Sequence, residues 1–160
     1  MKMKNTIKST LALILALFMT ICLFACKEQA ETPETPTGTS ADGGEIVAEG
    51  LWKDATYLED KEFGEGAKTV TVKVIVEGKS VTFTVKTDAK TLGEALLAHG
   101  LIAGDMGDYG LYIKYVNGIR ADYDLDKRYW NFTKNGEYMM TGADMTDIAD
   151  GECYEFTYAK

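Results

Sequence analysis

The stretch TVTVKVIVEGKSVTFTVKT, residues 69–87, decides the fold. Apolar and polar side chains alternate along both of its halves, which is the period of two that is typical of half-buried strands. A turn at Gly78-Lys79 gives one pairing register, and a turn at Glu77-Gly78 shifts that register by two residues. In either register the large apolar side chains share one face, so the stretch predicts a β-hairpin with one buried side.

A short helix is predicted directly after this hairpin. Thr91 and Glu94 have the Thr-x-x-Glu spacing of a capping box, which satisfies free N–H groups at the start of a helix. Gly100 suits the left-handed residue that ends many helices. The apolar side of this helix is formed by residues at positions i, i+3, i+4 and i+7, which are Leu92, Ala95, Leu96 and His99.

The rest of the chain predicts further antiparallel strands. Asn117-Gly118 and Asn135-Gly136 are each flanked by strand-forming residues, the sequence pattern of tight hairpin turns. A turn-rich link, residues 143–151, leads to a last strand. Its aromatic face consists of Tyr154, Phe156 and Tyr158. Together these elements predict an α+β, β-grasp-like domain, with an antiparallel or mixed sheet and one short helix packed on one face.

The amino terminus has the pattern of an export signal. Residues 1–25 contain three lysines followed by an apolar run. The run ends in Leu23-Phe24-Ala25-Cys26, which resembles the lipobox of bacterial lipoproteins. We therefore expect residues 1–25 to be a lipoprotein signal peptide and Cys26 to carry a lipid that anchors the protein, extracytoplasmically, to the bacterial cell membrane. Ordinary secretion or an uncleaved anchor is the alternative, and both also place the domain outside the cell.

Composition divides the remaining chain into three parts. Residues 26–50 begin with the lipidated Cys and continue with Thr, Glu, Gly, Ala and both prolines of the chain. This composition predicts a disordered tether. Residues 51–67 predict an extended docking segment with aromatic side chains among charges. Residues 68–160 predict the folded domain.

The composition also excludes several classes of function. Without residues 1–25 the chain keeps 14 of its 17 basic residues and all 25 acidic ones, a formal charge of −11, which is poorly suited to nucleic acid. His99 is the single His. Once Cys22 leaves with residues 1–25, Cys153 is the single Cys beside Cys26, so we expect no catalytic triad, His/Cys zinc site or intrachain disulfide. The acidic stretch DYDLDK, residues 122–127, lacks the glycine and glutamate of an EF-hand loop. We expect no enzyme activity, no metal site and no cofactor.

The Asn-Gly turn at 135–136 sorts the neighbouring side chains onto two faces. With a two-residue loop, Lys134 lies opposite Glu137. One face, expected in the core, then carries Trp130, Phe132 and Met139. The other face carries Tyr129, Asn131, Thr133, Tyr138 and Met140. This second face is either a platform for a flat ligand or a surface that packs on a second small core or on the docking segment.

Three features in order resemble a known family. They are the Thr-Leu-x-x-Ala-Leu helix start after a hairpin, the Tyr-Trp-x-Phe strand before Asn-Gly, and the link from Gly142 through Asp150-Gly151 into an aromatic strand. Over residues 68–160 this resembles the transcobalamin-like C-terminal domain family of bacterial surface proteins. In transcobalamin and intrinsic factor the related β-rich domain closes over cobalamin held against a separate helical barrel, which has no counterpart in this chain. The resemblance implies the fold and, for the ligand, a corrinoid.

We therefore expect a membrane-anchored extracellular lipoprotein that acts as a small-molecule binding module. Its ligand would be a corrinoid or another flat molecule. The candidate ligand-binding residues are Tyr109, Tyr112, Tyr129, Asn131, Tyr138 and Met140. The alternative is a non-enzymatic protein-interaction or spacer module that contacts an envelope protein or transporter through a sheet edge or its acidic surface.

Overall fold

The computed structural model describes residues 37–39 and 45–160. The expected signal peptide, the expected lipid anchor Cys26 and most of the expected tether lie outside these residues. The described strands are β1 (Thr37–Thr39), β2 (Glu45–Val47), β3 (Lys61–Phe63), β4 (Lys68–Val76), β5 (Lys79–Thr87), β6 (Ile102–Gly107), β7 (Gly110–Val116), β8 (Ile119–Arg120), β9 (Tyr129–Lys134), β10 (Glu137–Tyr138) and β11 (Cys153–Ala159). The helices are α1 (Leu92–Ala98) and α2 (Tyr123–Asp126), with 3₁₀ turns at Gly50–Asp54 and Ala143–Met145. No helix in this part of the chain has the length and apolarity that a membrane crossing requires.

β4 and β5 form the expected hairpin, and the turn sets their register. Glu77 and Gly78 form the turn with φ angles of 52° and 77°. Val74 therefore pairs with Val81, the second of the two registers that the sequence allows. Alternate side chains of both strands are buried on one face: Val70, Val72, Val74, Val76, Val81, Phe83 and Val85.

This hairpin lies within a mixed six-stranded sheet whose order is β10-β9-β11-β4-β5-β3. β11 runs parallel to β4, with Tyr154 opposite Val72, and antiparallel to β9, with Phe156 opposite Phe132. Tyr154 and Phe156 are fully buried, which confirms the predicted inner face of this strand. The last strand in chain order therefore occupies the middle of the sheet.

β6, β7 and β8 form a second, antiparallel sheet in that order. The turn between β7 and β8 is Asn117-Gly118, as the sequence predicts. One hydrophobic cluster joins both sheets and α1, and includes Val72, Phe83, Leu92, Leu96, Ile102, Val116 and Ile119. The core therefore lies between the six-stranded sheet and a covering layer made of the second sheet and α1.

The expected α+β, β-grasp-like class is wrong, because the protein is β-rich. Strands contain 48% of the described residues and helices 16%, and α1 is the only described helix of seven or more residues. Glycine and aspartate in residues 104–110 predict a loop, since both are poor strand formers. Residues 104–107 instead extend β6, which pairs with β7 as far as Gly107 and Gly110. This pairing outweighs local propensity. It completes a second sheet on the face of the first sheet where we expect only one short helix.

α1 begins and ends where the sequence predicts. Thr91 Oγ1 accepts a hydrogen bond from Glu94 N, and Glu94 Oε2 accepts one from Thr91 N, each at 3.3 Å, which confirms the capping box. Gly100 follows with a φ of 64°. The His99 ring lies 5.6 Å from the Phe63 ring, so His99 packs against β3.

The segment before β3 is fastened to both sheets. Trp52 is buried, and its Nε1 donates to Val76 O at 3.2 Å. Asn117 is fully buried; its carbonyl oxygen accepts from Thr56 N at 2.8 Å, and its side-chain amide makes two hydrogen bonds with the backbone of Tyr57, at 2.9 and 2.8 Å. Earlier in the chain Ile46 is also fully buried, so packed residues precede residue 51.

Candidate functional site

A groove opens where β10 separates from β9. The register expected from the Asn-Gly turn is confirmed, with pairing as far as Thr133 and Tyr138. Met139 N donates one further hydrogen bond to Phe132 O at 3.0 Å, and the chain then leaves the sheet. The resulting space has a volume of about 200 Å³. It is lined by Leu111, Tyr112, Ile113, Tyr129, Trp130, Phe132, Tyr138, Met139, Thr141, Gly142, Ala143 and Phe156.

Stacked aromatic rings give the groove a rigid floor. Phe132 and Phe156 are stacked, with ring centroids 4.9 Å apart and planes within 10° of parallel. Trp130 meets Tyr158 edge-on at 5.5 Å. Such pairs add to the stability that burial provides, so these rings hold their positions without a ligand.

The structure brings three of the six predicted ligand-binding residues together in the groove: Tyr112, Tyr129 and Tyr138. Tyr109 and Met140 are 94% and 90% exposed and do not line it. Asn131 does not line it either, although it shares a strand face with Tyr129. Tyr129 keeps 37% of its surface exposed.

The sequence interpretation missed the deeper residues of the groove. It assigns Trp130, Phe132 and Met139 to the core. Trp130 and Phe132 are indeed 8% and 9% exposed, yet all three also line the groove. Gly142 and Ala143 come from the link after β10. A glycine only six residues after the turn is the one sequence signal that β10 would end early and leave its partner strand open.

Trp130 carries a hydrogen-bond donor without an acceptor. Its indole N–H is buried and has no partner among the described residues. Such groups are rare, and each costs on the order of 1–3 kcal/mol when left unpaired. Trp52, the other tryptophan, has its indole N–H bonded to a carbonyl. Trp130, which lines the groove, therefore carries a buried donor that the described part of the protein does not satisfy.

Asp144 holds the link after β10 against β7. Its Oδ2 accepts a hydrogen bond from Leu111 N at 3.0 Å. The carboxylate fits between Gly110 and Gly142, where an added Cβ at either position would collide with it. Its Oδ1 is buried and has no partner among the described residues. An unsatisfied acceptor thus lies next to Ala143 of the groove lining.

A charged cluster on the second sheet positions Tyr112. Lys114 Nζ lies 2.9 Å from Asp105 and 3.2 Å from Asp122, and 5.7 Å from the centre of the Tyr112 ring. Hydrogen bonds to the two carboxylates raise the pKa of Lys114 well above its usual range. Burial alone would raise the pKa of Asp122, but Lys114, the Asp124 N–H and Arg120 together lower it. The hydroxyl of Tyr112 also accepts the Tyr123 N–H at 3.4 Å.

A second polar cluster fixes the turn end of β9. Lys134 Nζ lies 2.6 Å from Glu152 Oε1, and the Tyr154 hydroxyl donates to Glu152 Oε2 at 2.5 Å. Burial and then this hydrogen bond raise the pKa of Tyr154. Burial alone would raise the pKa of Glu152, but hydrogen bonds from Lys134, Tyr154 and Ala149 N lower it. The turn end of β9 is therefore tied to β11, while its other end borders the groove.

The described residues contain no group of three or more His, Cys, Asp or Glu side chains arranged to hold a metal ion. The site is thus an aromatic groove at the edge of a β-rich domain, with one unsatisfied donor in its wall and one unsatisfied acceptor beside it. This arrangement can stack on a flat group and hydrogen-bond its rim.

Comparison with known proteins gives a family. Residues 89–160, which include the groove, match a domain of unknown function, DUF4430. A solved protein from Ruminococcus gnavus ATCC 29149, provisionally described as metal binding, is 40% identical, with a TM-score of 0.56 over 59% of this chain and 98% of that one. The chain belongs to the same family as that protein. No curated protein matches.

Haptocorrin in complex with Cbi has a similar structure over part of its length. The identity is 20% and the TM-score 0.49, over 61% of this chain and 26% of haptocorrin. The expected family resemblance is confirmed only in part, because the comparisons show membership of a domain family and not the transcobalamin-like assignment. A likeness of this size says nothing about the ligand.

Proposed function

We propose that the chain is an extracytoplasmic lipoprotein module that binds a flat organic ligand in the groove and catalyses no reaction. The observation that carries the proposal is the buried, unpartnered indole N–H of Trp130 in a wall of aromatic side chains. A ligand acceptor at this point would remove an uncompensated cost. Export and lipidation at Cys26 rest on the sequence pattern of residues 1–26.

The size of the groove indicates that the ligand enters by one edge. Pockets that enclose drug-sized ligands have volumes of about 300–1,000 Å³, whereas this groove has about 200 Å³. Tyr129 and Tyr138 keep exposed surface at the groove, on which the rest of a flat ligand can stack. A ligand edge with an acceptor for the Trp130 N–H and a donor for Asp144 Oδ1 would satisfy both unpartnered groups.

Within this class we propose a corrinoid as the first ligand to test. The sequence resemblance implies it, and a corrin ring is flat and fringed with amides that donate and accept hydrogen bonds. The Ruminococcus gnavus relative is provisionally described as metal binding. A corrinoid contains its own cobalt ion, so a metal-containing ligand of this kind needs no cluster of protein donors.

Titration of the full chain with dicyanocobinamide and with cyanocobalamin tests the proposal. We expect a saturable change in corrin absorbance and in tryptophan fluorescence at micromolar concentration. Tyr138→Ala should weaken binding about tenfold or more, because it removes an aromatic contact. Met140→Ala is the matched control: Met140 lies on the same hairpin and is exposed, but it does not line the groove.

Trp130→Phe tests the orphan donor separately. The variant keeps an aromatic ring in the wall and removes the N–H, so the affinity should fall if the ligand accepts this hydrogen bond. Absence of any spectral change with both corrinoids would contradict the corrinoid assignment. Equal losses in Tyr138→Ala and Met140→Ala would contradict the groove as the site.

A further inference from the structure

One backbone edge of β9 is only partly hydrogen-bonded by the described residues. On its other side β9 bonds to β11: Asn135 N donates to Cys153 O at 2.9 Å, and Thr133 lies opposite Glu155. In an antiparallel pair, residues alternate between those that bond to one neighbour and those that face the other side. The odd-numbered residues of β9 therefore face β11. The even-numbered residues direct their N–H and C=O groups toward β10.

β10 satisfies this second side only near the turn. Met139 N donates to Phe132 O at 3.0 Å, and no backbone hydrogen bond of the described residues joins β9 to the chain beyond that point. Among the described residues, the N–H of Phe132 and both backbone groups of Trp130 have no backbone hydrogen-bond partner. Backbone groups of this kind are nearly always paired in folded proteins, so the edge is incomplete as it stands.

We propose that this edge, Trp130–Phe132, accepts an extended peptide segment of another protein as an added strand. Its backbone would pair with the open N–H and C=O groups, as in other cases of β-strand addition. Side chains of adjacent strands share faces, so alternate side chains of the segment would enter the groove beside Leu111 and Ile113. Apolar side chains at alternate positions fit this lining.

The edge lacks the usual protection against such pairing. Exposed edges normally carry charges, prolines or bulges that block a further strand. Residues 129–132, YWNF, contain no charge or proline, and the pairing with β11 has no bulge. At the opposite edge of the sheet, β3 spans three residues, of which Lys61 and Glu62 are charged and exposed. The β9 edge therefore lacks the exposed charged residues that the two outer strands of this sheet carry, Lys61 and Glu62 on β3 and Glu137 on β10.

Charge identifies the kind of segment. The chain has a formal charge of −8. Glu137 is exposed on β10, and Asp144 has an unpartnered carboxylate oxygen beside the groove, while the basic Lys127 and Arg128 precede β9. A second copy of the chain would bring the same negative charge to the edge and be repelled. The occupant is therefore a segment with basic residues between its apolar ones.

This inference goes beyond the proposed function, since it depends on backbone groups of β9 and not on the rings of Tyr129 and Tyr138. The two are tested with different probes. A chain that binds cobinamide but no peptide refutes only the added strand. A chain that binds peptide but no corrinoid leaves the added strand standing.

Amide hydrogen exchange of the full chain, followed by NMR, tests the open edge first. We expect the amides of Trp130 and Phe132 to exchange at least about tenfold faster than those of Tyr129, Asn131 and Thr133, which bond to β11. Equal, strong protection of both sets in the free protein would show that another part of the chain already covers the edge. That result would overturn the proposal.

Peptide addition tests the added strand. The probe is acetyl-KVKVKVK-amide, titrated to about 1 mM, a concentration that detects weak specific binding. We expect the Trp130 and Phe132 amides to become at least about tenfold more protected. The control peptide with glutamate in place of lysine should produce no protection, because it reverses the charge.

N-methylated peptides separate backbone pairing from side-chain contact. N-methylation of the valines removes the N–H groups that face β9 in an antiparallel addition, and N-methylation of the lysines removes those that face it in a parallel one. One of the two should weaken binding about tenfold or more. Unchanged binding of both, or no protection with the parent peptide, would overturn the proposal.

Discussion

The two Asn-Gly turns offer a controlled comparison between an open and a crowded glycine. Asn117-Gly118 and Asn135-Gly136 have nearly the same backbone, with φ angles of 51° and 81° in the first and 49° and 81° in the second. We expect Gly118→Ala to destabilise the protein by clearly more than Gly136→Ala. Because the local backbone is matched, the difference between the variants measures what surrounds each turn.

The magnitude follows from the neighbours of each glycine. An alanine at either position occupies the left-handed region, which costs about 1–2 kcal/mol. At Gly136 a Cβ meets nothing within 4 Å. At Gly118 it would lie 2.7 Å from Asp54 O and 2.7 Å from Thr56 Oγ1. Relieving this contact displaces the segment that Asn117 holds, and overpacking of this kind costs about 1–3 kcal/mol more.

Urea unfolding and thermal melting of both variants measure the effect. A difference of 1–3 kcal/mol corresponds to a gap of about 4–20 °C between the two melting temperatures for a domain of this size. Protease digestion should also cut residues 51–57 faster in Gly118→Ala alone. Equal free energies of unfolding for the two variants would refute the reasoning, because the close contact with Asp54 and Thr56 would then cost nothing.

Three further outcomes are expected. Tyr154→Phe should cost about 1.5–3 kcal/mol in urea unfolding at neutral pH, because it removes a hydrogen bond to the Glu152 carboxylate. Since folding raises the pKa of Tyr154 above its unfolded value of about 10, this contribution is complete below pH 10 and declines above it; a gap to wild type that stays constant to pH 11 would contradict this. Thr91→Ala should lower the free energy of unfolding by about 0.5–2 kcal/mol through loss of the cap, and a circular dichroism melt that is unaltered argues against it. Leu96→Ala, fully buried, should cost about 2–5 kcal/mol, whereas Leu97→Ala, 46% exposed, should stay within about 0.5 kcal/mol; similar values for both would show that α1 does not pack as described.

Local patterns predicted the elements that depend on near neighbours in the chain. The β4–β5 hairpin, the capped helix and both Asn-Gly turns are formed by residues within a few positions of one another, so their signals are complete in the sequence. The fold class was wrong because it depends on long-range pairing. Nothing in GDMG, residues 104–107, shows that β7 will pair with it and draw it into a second sheet.

The candidate site was predictable to the same extent. The parity of the hairpin placed Tyr129 and Tyr138 on exposed surface, because strand alternation is local. It did not reveal that Met139 ends the pairing, since the link after β10 is drawn toward β7 by Asp144. It also placed Met140 at the site, which the structure leaves outside the groove lining. The orphan indole of Trp130 can be recognised only once the surroundings of the ring are known.

The central position of β11 has a consequence for the order in which the protein can be assembled. β4 finds β5 within a few residues, but its other neighbour, Cys153–Ala159, is synthesised about eighty residues later. Until then the β9–β10 hairpin has no strand to join, and β4 exposes a bare apolar edge. The nascent chain must therefore be kept from aggregating until β11 emerges, and loss of β11 would divide the sheet in two rather than shorten it.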